Sequence, residues 1–294
     1  MGANTYVAVG NKEDMTDLVL NISPSDTPIT SAIGKGKPAT GTVHSWLEDT
    51  LPTPTDNAAV EGAEFTVSDP DPRVELMNYT QIFRRGYKVT GSQEAADKYG
   101  VKSEIAYQMS KAMKALALDI EKAIIENASA VQGDATSTPR KMGGVPYFIT
   151  TNVLDNSGTP RDLTEDLLND AIQAAWNAGG NPDMVVVSGK TKRAISNWTT
   201  NVDRTFPVDK TKLTRKIDVY ESDFGLVKIV ADRWMPNEKA FVLDTQYWKL
   251  NTFRPVKKYV LPKTGDSEKQ VLLGELTLSG MAEKASAIIT DLQP

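Results

Sequence analysis

Few residues in this chain are suited to chemistry, and they are badly spaced for it. His44 is the one histidine and there is no cysteine. Thiolate catalysis, disulfides and cysteine-based zinc or iron–sulfur sites are therefore excluded, and a hydrolytic triad would depend on a single imidazole. His44 stands in a strand-like stretch and no Gly-x-Ser-x-Gly elbow occurs in the chain, so it reads as structural. Gly189-Lys190-Thr191 has the ending of a phosphate-binding loop, whose glycine-rich turn presents backbone amides to phosphate oxygens. The first glycine of that motif would fall on Met184, and Val185, Val186 and Val187 occupy positions that must be loop. The segment reads instead as a helix start after a strand. Serine–lysine and carboxylate-pair catalysis need only a meeting in three dimensions, and one sequence leaves both open.

The charged clusters are more informative. Asp69-Pro70-Asp71-Pro72 lacks the loop glycine of a hard-cation site, and its prolines hold the chain extended. Gly34-Lys35-Gly36-Lys37 reads as a solvated turn. Arg84-Arg85 with Lys88 follows a strand-like stretch and suits either an acidic partner or a solvated edge. Net charge is −5, which gives no general attraction to nucleic acid. That charge is unevenly placed. Between residues 48 and 75 the acids Glu48, Asp49, Asp56, Glu61, Glu64, Asp69, Asp71 and Glu75 face Arg73 alone, a net of −7, which leaves +2 on the other 266 residues.

The elements that position these groups follow from periodicity. The 294 residues, 40% hydrophobic and 24% charged, suit two or three globular domains. No apolar run of membrane-spanning length and no secretory signal is evident, so use in a cytosol is expected. A short helix over Lys12–Leu20 is followed by turn-rich sequence to about residue 41, an extended arm. Period-two alternation from Thr42 and again over Val74–Val89 predicts two strands flanking the acidic stretch, a protruding hairpin. Ordering such excursions costs about 1–2 kcal/mol per residue with no core of their own to offset it. They are disordered or they pack on another subunit. Ser103 is an N-cap candidate for a helix with apolar residues at Ile105, Met109, Met113, Leu116, Ile120 and Ile124, expected to last to about Val131. Asp162 with Glu165 predicts the cap of a second helix with the stripe Leu168, Ile172, Ala175 and Trp176, stopped by Gly179-Gly180-Asn181-Pro182. A buried strand at Met184–Val187, a helix near Lys192–Trp198, and strands at Leu226–Val230 and Phe241–Leu243 give an α/β unit. Trp248–Leu261 and Gln270–Ser279 around Lys263-Thr264-Gly265-Asp266 read as antiparallel β.

Several ordered motifs resemble one family. These are Asn21-Ile22-Ser23-Pro24-Ser25-Asp26-Thr27-Pro28, the run Asn78–Arg85 with Val89–Ala95 after it, Gly179–Asp183, and Lys263–Lys269 with Gly274-Glu275-Leu276-Thr277-Leu278. Together they resemble the SU-ten-like major head proteins of tailed bacteriophages over nearly the whole chain. The resemblance implies an α+β, Hong Kong 97-like (Johnson) capsid fold: an N-terminal arm (1–41), an extended β-hairpin loop (42–90), a peripheral domain with a long spine helix (91–143), an α/β axial domain (144–247) and closing peripheral-domain strands (248–294). It also implies a non-enzymatic capsid protein that assembles through pentamers and hexamers into a head shell around double-stranded DNA. No cofactor, metal or catalytic residue is expected, and no self-crosslinking motif is seen. Expected partners are other copies of the chain, a portal, packaged DNA by non-specific contact, and possible scaffold or decoration proteins. No membrane is expected among them. No scaffold-like coiled-coil segment precedes Met1, which is compatible with a separate scaffold. Assembly would take place in the host cytoplasm. Candidate inter-subunit residues are Glu48, Asp49, Asp56, Glu61, Glu64, Asp69, Asp71, Arg84, Arg85 and Lys88. An encapsulin-like shell, distinguished by packaged enzyme cargo, and a soluble α/β enzyme with a carboxylate or lysine site are the alternatives.

Overall fold

The computed structural model describes residues 26–52, 54–62, 64, 72–97, 100–134, 136–198 and 219–294. The helix expected over Lys12–Leu20 lies outside the described residues. In chain order the elements are α1 (Pro28–Ala32), β1 (Gly34–Lys35), β2 (Val43–Glu48), β3 (Val74–Tyr79), β4 (Gln81–Thr90), α2 (Gly91–Ala95), α3 (Glu104–Glu126), α4 (Val145–Phe148), β5 (Val153–Leu154), α5 (Glu165–Asn177), β6 (Met184–Val187), α6 (Gly189–Trp198), β7 (Val219–Ser222), β8 (Gly225–Ala231), β9 (Ala240–Leu243), β10 (Trp248–Val260), β11 (Ser267–Gly280) and β12 (Ala287–Ile289). They form a four-stranded sheet in the order β1-β10-β11-β4, a six-stranded sheet in the order β5-β12-β9-β6-β8-β7, and the two-stranded ribbon β2-β3.

The long helix α3 packs on the four-stranded sheet. Its first turn is closed by two side chains. Ser103 Oγ accepts from Ala106 N–H, while Glu94 of α2 accepts from Ser103 Oγ–H at 2.7 Å and from the Glu104 and Ile105 amides at 2.8 and 3.2 Å. A helix leaves its first four amides without intrahelical partners, so this arrangement fixes where α3 begins. Ser103→Ala is expected to cost about 1 kcal/mol in a denaturant melt. The helix stops at Glu126, five residues before the expected end, because the Asn127 amide turns to Met142 O at 2.8 Å and Gln81 Oε1 at 3.2 Å. Of the apolar stripe, Leu116, Ile120 and Ile124 are buried, whereas Met113 is exposed.

The strand expected over Val74–Val89 is two strands. Thr80, fully buried, bonds through its amide to Thr42 O and through its carbonyl to Arg140 Nε–H, and it divides the run. Residues before it pair with β2 and residues after it pair with β11. Pro255, which has no amide hydrogen to give, lies within the second of two register shifts of the β10–β11 ladder, between Arg254 and Lys257. Gly274 sits opposite the shift, where a Cβ would come within 2.6 Å of Val256 Cγ2.

In the six-stranded sheet, β6 is buried on both faces, which accounts for its unbroken apolar run. Met184 and Val186 join the core shared with α3 and Trp248, and Val185 and Val187 join the core under α5 and α6. Helix α5 is capped by Thr164, whose hydroxyl accepts from Leu167 N–H at 3.2 Å, and not by Asp162. Leu163 and Leu168, both buried, bracket that cap and set the entry of the chain. Trp176 is not on the buried stripe; it is 48% exposed and leans on Phe224 with ring centroids 5.2 Å apart. The chain leaves the helix after Asn177 through Gly179, whose φ of +91° suits glycine.

Both chain ends differ from the sequence reading in where they pack. Residues 28–39, expected in the arm, are tied to the body: Ile29 is fully buried and Gly34 pairs with Lys249. Strand β12, in the segment expected to close the peripheral unit, hydrogen-bonds between β5 and β9 of the six-stranded sheet.

Candidate functional site

The hairpin leaves the body at a satisfied polar knot. The Asn78 amide donates to Gly143 O and Leu278 O at 3.1 and 2.7 Å, and its oxygen accepts from Gly143 N–H and Tyr79 N–H. His44, in register with Asn78, places Nε2 2.5 Å from Asn251 Nδ2 and its ring against Trp46. Burial lowers its pKa, so it is neutral at pH 7. Like the Gly189-Lys190-Thr191 turn, where Ser188 Oγ meets the Thr191 amide, it serves the fold.

Beyond the knot β2 and β3 form a ribbon with one face toward the body. His44, Trp46 and Glu48 share that face; Val43, Ser45 and Leu47 share the other with Met77 and Glu75. Leu47 is 64% exposed and Met77 49%. A two-stranded ribbon is marginal in water by itself, and this one carries uncovered apolar side chains along its length.

The structure sorts the candidate residues into three groups. Glu48 faces inward, across a groove of about 600 Å³ from Glu283 and Lys284. Burial raises its pKa, Lys284 opposes that and Glu283 adds to it. Asp49 pairs with Arg73 across the hairpin at 3.2 Å, an exposed bridge worth about 0–1 kcal/mol. Arg85, expected to meet a neighbour's acids, holds Asp119 of its own α3 through two bonds of 2.6 and 2.5 Å. The Asp119 carboxylate, by hydrogen bonding, raises the Arg85 pKa. Asp56, Glu61 and Glu64 stand exposed on the distal loop, and Asp69 and Asp71 lie outside the described residues. Arg84 and Lys88 are exposed on β4, on the face turned away from α3.

That face holds residues the sequence reading did not single out. In register across three strands, Lys257 lines up with Leu273 and Arg84, and Tyr259 with Val271 and Gly86. Lys269 lies beside Lys88, Ile82 stands two residues before Arg84, and Tyr259 is 47% exposed. The result is an open, basic, apolar-studded sheet face. Its signal in the sequence was the alternation of Lys257 and Tyr259 with their neighbours. At one end of the same face, in register with Ile82, Glu275, 2% exposed, accepts from Thr80 Oγ1–H at 2.6 Å, from Arg254 Nε–H at 2.7 Å and from Arg140.

Among the described residues no cluster of His, Asp or Glu could hold a metal ion, and no helix is long and apolar enough to cross a membrane. The molecule is thus an anchored projection and an open sheet. The family model for SU10 major capsid protein matches residues 2–293. The chain belongs to the SU10 major capsid protein family. The major capsid protein of Escherichia phage Phieco32 is 23% identical over 336 residues, covering 97% of this chain and 95% of that protein. Among solved structures, the capsid of a native GTA particle matches with TM-score 0.69 at 11% identity, over 99% of this chain and 100% of the other. A chain of the cyanophage A-1(L) capsid asymmetric unit matches at 0.66 and 14%, over 99% of each chain. One from Mycobacterium phage Adephagia matches at 0.67 and 12%, over 100% and 99%. At such identities the likeness carries the fold, which is α+β and Hong Kong 97-like. This major capsid protein forms the head shell of a tailed phage, and its place is the virion capsid.

Proposed function

We propose that the shell is held together by laying the acidic hairpin of one copy across the open basic sheet face of the next. The observation that carries this reading is complementarity. The ribbon offers Leu47 and Met77 beside Glu75 and the distal acids Asp56, Glu61 and Glu64. The sheet offers Ile82 and Tyr259 among Arg84, Lys88 and Lys257. Each surface leaves apolar area in water that the other covers, and opposite charges fix the register. Asp69 and Asp71 add charge to the same hairpin. Pentamers and hexamers formed in the host cytoplasm would close into a shell around double-stranded DNA held by non-specific contact, joined by a portal and by separate scaffold or decoration proteins. The chain acts by assembly and not by catalysis.

The charge reversal Arg84→Glu with Lys257→Glu tests the reading. Both side chains are exposed, so circular dichroism and the melting point stay near wild type. Assembly, followed by light scattering and negative-stain imaging, is expected to weaken by roughly ten- to a hundredfold in critical concentration, equivalent to about 1.4–2.8 kcal/mol per contact. Unchanged assembly would rule out this face as the landing site.

A further inference from the structure

Two acids meet in the core, and among the described residues no base pairs with either. Glu121 of α3 is wholly buried. Its Oε1 accepts from Ile29 N–H at 2.7 Å, and its Oε2 accepts from Thr30 N–H at 2.9 Å and from the Thr30 hydroxyl, all donors from α1. The Asp232 carboxyl, just past β8 and 2% exposed, is within hydrogen-bond reach of Glu121. Asp232 Oδ1 accepts from Trp234 N–H at 2.8 Å, and Oδ2 is buried with no donor among the described residues.

Among the described residues the charged groups around this pair give it no counter-ion, and Arg233, next to Asp232, is exposed. The segment before α1 contributes another acid, Asp26. On α3, Asp119 is engaged by Arg85 of β4, and Lys122 by Glu126. On β11, Glu275 is engaged by Arg140 and Arg254. Helices α1 and α4 carry no Asp, Glu, Lys, Arg or His. Beyond Asp232 the buried Trp234 indole N–H also has no acceptor. Among the described residues, no Lys, Arg or His lies within 4.0 Å of either carboxylate.

Two carboxylates in a dry site without a cation do not both ionise. Glu121, with three donors, is suited to the charge; Asp232, with an oxygen lacking any donor, is suited to the proton. Burial raises the pKa of both, more than their hydrogen bonds lower it. We propose that Glu121 and Asp232 share one proton, and that this proton latches α1 onto the body so that α1 is held in acid and released as pH rises. The sign follows from linkage. The folded site keeps a proton that the opened site gives up, so the latched state loses stability as pH rises through the folded value. Release would withdraw Ile29, a fully buried side chain, from the core.

Amide hydrogen exchange at Ile29 and Thr30 in the full-length chain, expressed as protection factors, tests the latch. From mildly acidic to mildly alkaline pH, wild-type protection is expected to fall by up to about tenfold per pH unit while the latched site holds the proton that the opened site releases, and to level off once the latched site has lost it too. Asp232→Asn supplies a permanent donor at the same place, so its protection stays level. A level wild-type profile overturns the proposal, and so does an equal slope in Asp232→Asn. Should that variant not fold, infrared spectroscopy of the wild type gives a second readout. A carboxylic-acid carbonyl band present at neutral pH, and lost in step with the protection, supports the latch; absence of the band overturns it.

Discussion

Replacing residues 49–73 with an Asn-Gly turn is expected to give a chain that folds normally and builds no closed particles. Glu48 and Val74 are opposite each other at the end of the β2–β3 ladder, and a two-residue Asn-Gly turn closes such a pair without strain. The Asn78 knot, the two sheets and both cores lie outside the deletion. Far-ultraviolet circular dichroism and the denaturation midpoint should therefore match wild type. The deletion removes Asp56, Glu61, Glu64, Asp69 and Asp71 together with the exposed apolar Leu51 and Val60. Losing even roughly 3 kcal/mol from each contact weakens it about a hundredfold, and a closed shell multiplies that loss over every subunit. Negative-stain imaging decides the matter. Normal shells would end the role assigned to this loop, while membership of the family would stand.

Glu275→Ala is expected to damage the isolated subunit strongly, lowering its stability by about 2–4 kcal/mol in guanidinium melts. Glu275 lies on β11 where β4, β10 and the Arg140 segment converge, and its removal strands the Thr80 hydroxyl and the Arg140 guanidinium. The figure sits below that for a fully enclosed pair because Arg254 is half exposed and regains water. The site also has a pH signature. Burial works to raise the Glu275 pKa, but hydrogen bonds from Thr80 and Arg254 and the charge of Arg140 outweigh it and bring the pKa down. A depressed acid stabilises the fold fully above the ordinary carboxylate range and loses that contribution as pH falls through its folded value. Glu275→Gln, which keeps the shape, should lower the plateau near neutrality and flatten the acid limb of the stability curve. An unchanged acid limb would show that the arginines do not hold this carboxylate.

Elements whose signals are local were legible before any coordinates. The helix after Ser103, the strand Met184–Val187 and the acidic hairpin each announce themselves within a dozen residues by period, cap or turn chemistry. What was missed depends on partners far along the chain. The break at Thr80 leaves the period-two pattern untouched, since both halves are strands, and only their partners differ. Thr164 won the cap from Asp162 because Leu163 and Leu168 had to reach the same core. Arg85 looked like an open cation until Asp119, 34 residues later, met it. Glu121 reads as one polar position on a helix, and its donors lie 92 and 91 residues earlier.

The knot at Asn78 has a mechanical consequence. One amide grips Gly143 and Leu278 at the root of the projection, and Thr80 is bound on both sides just after it. A force applied at the far end of the hairpin therefore arrives at the body as torque about a fixed pivot and does not peel the strands apart from their base. The projection behaves as a cantilever clamped at its root, and the angle at which β2 and β3 leave the body is set by that clamp.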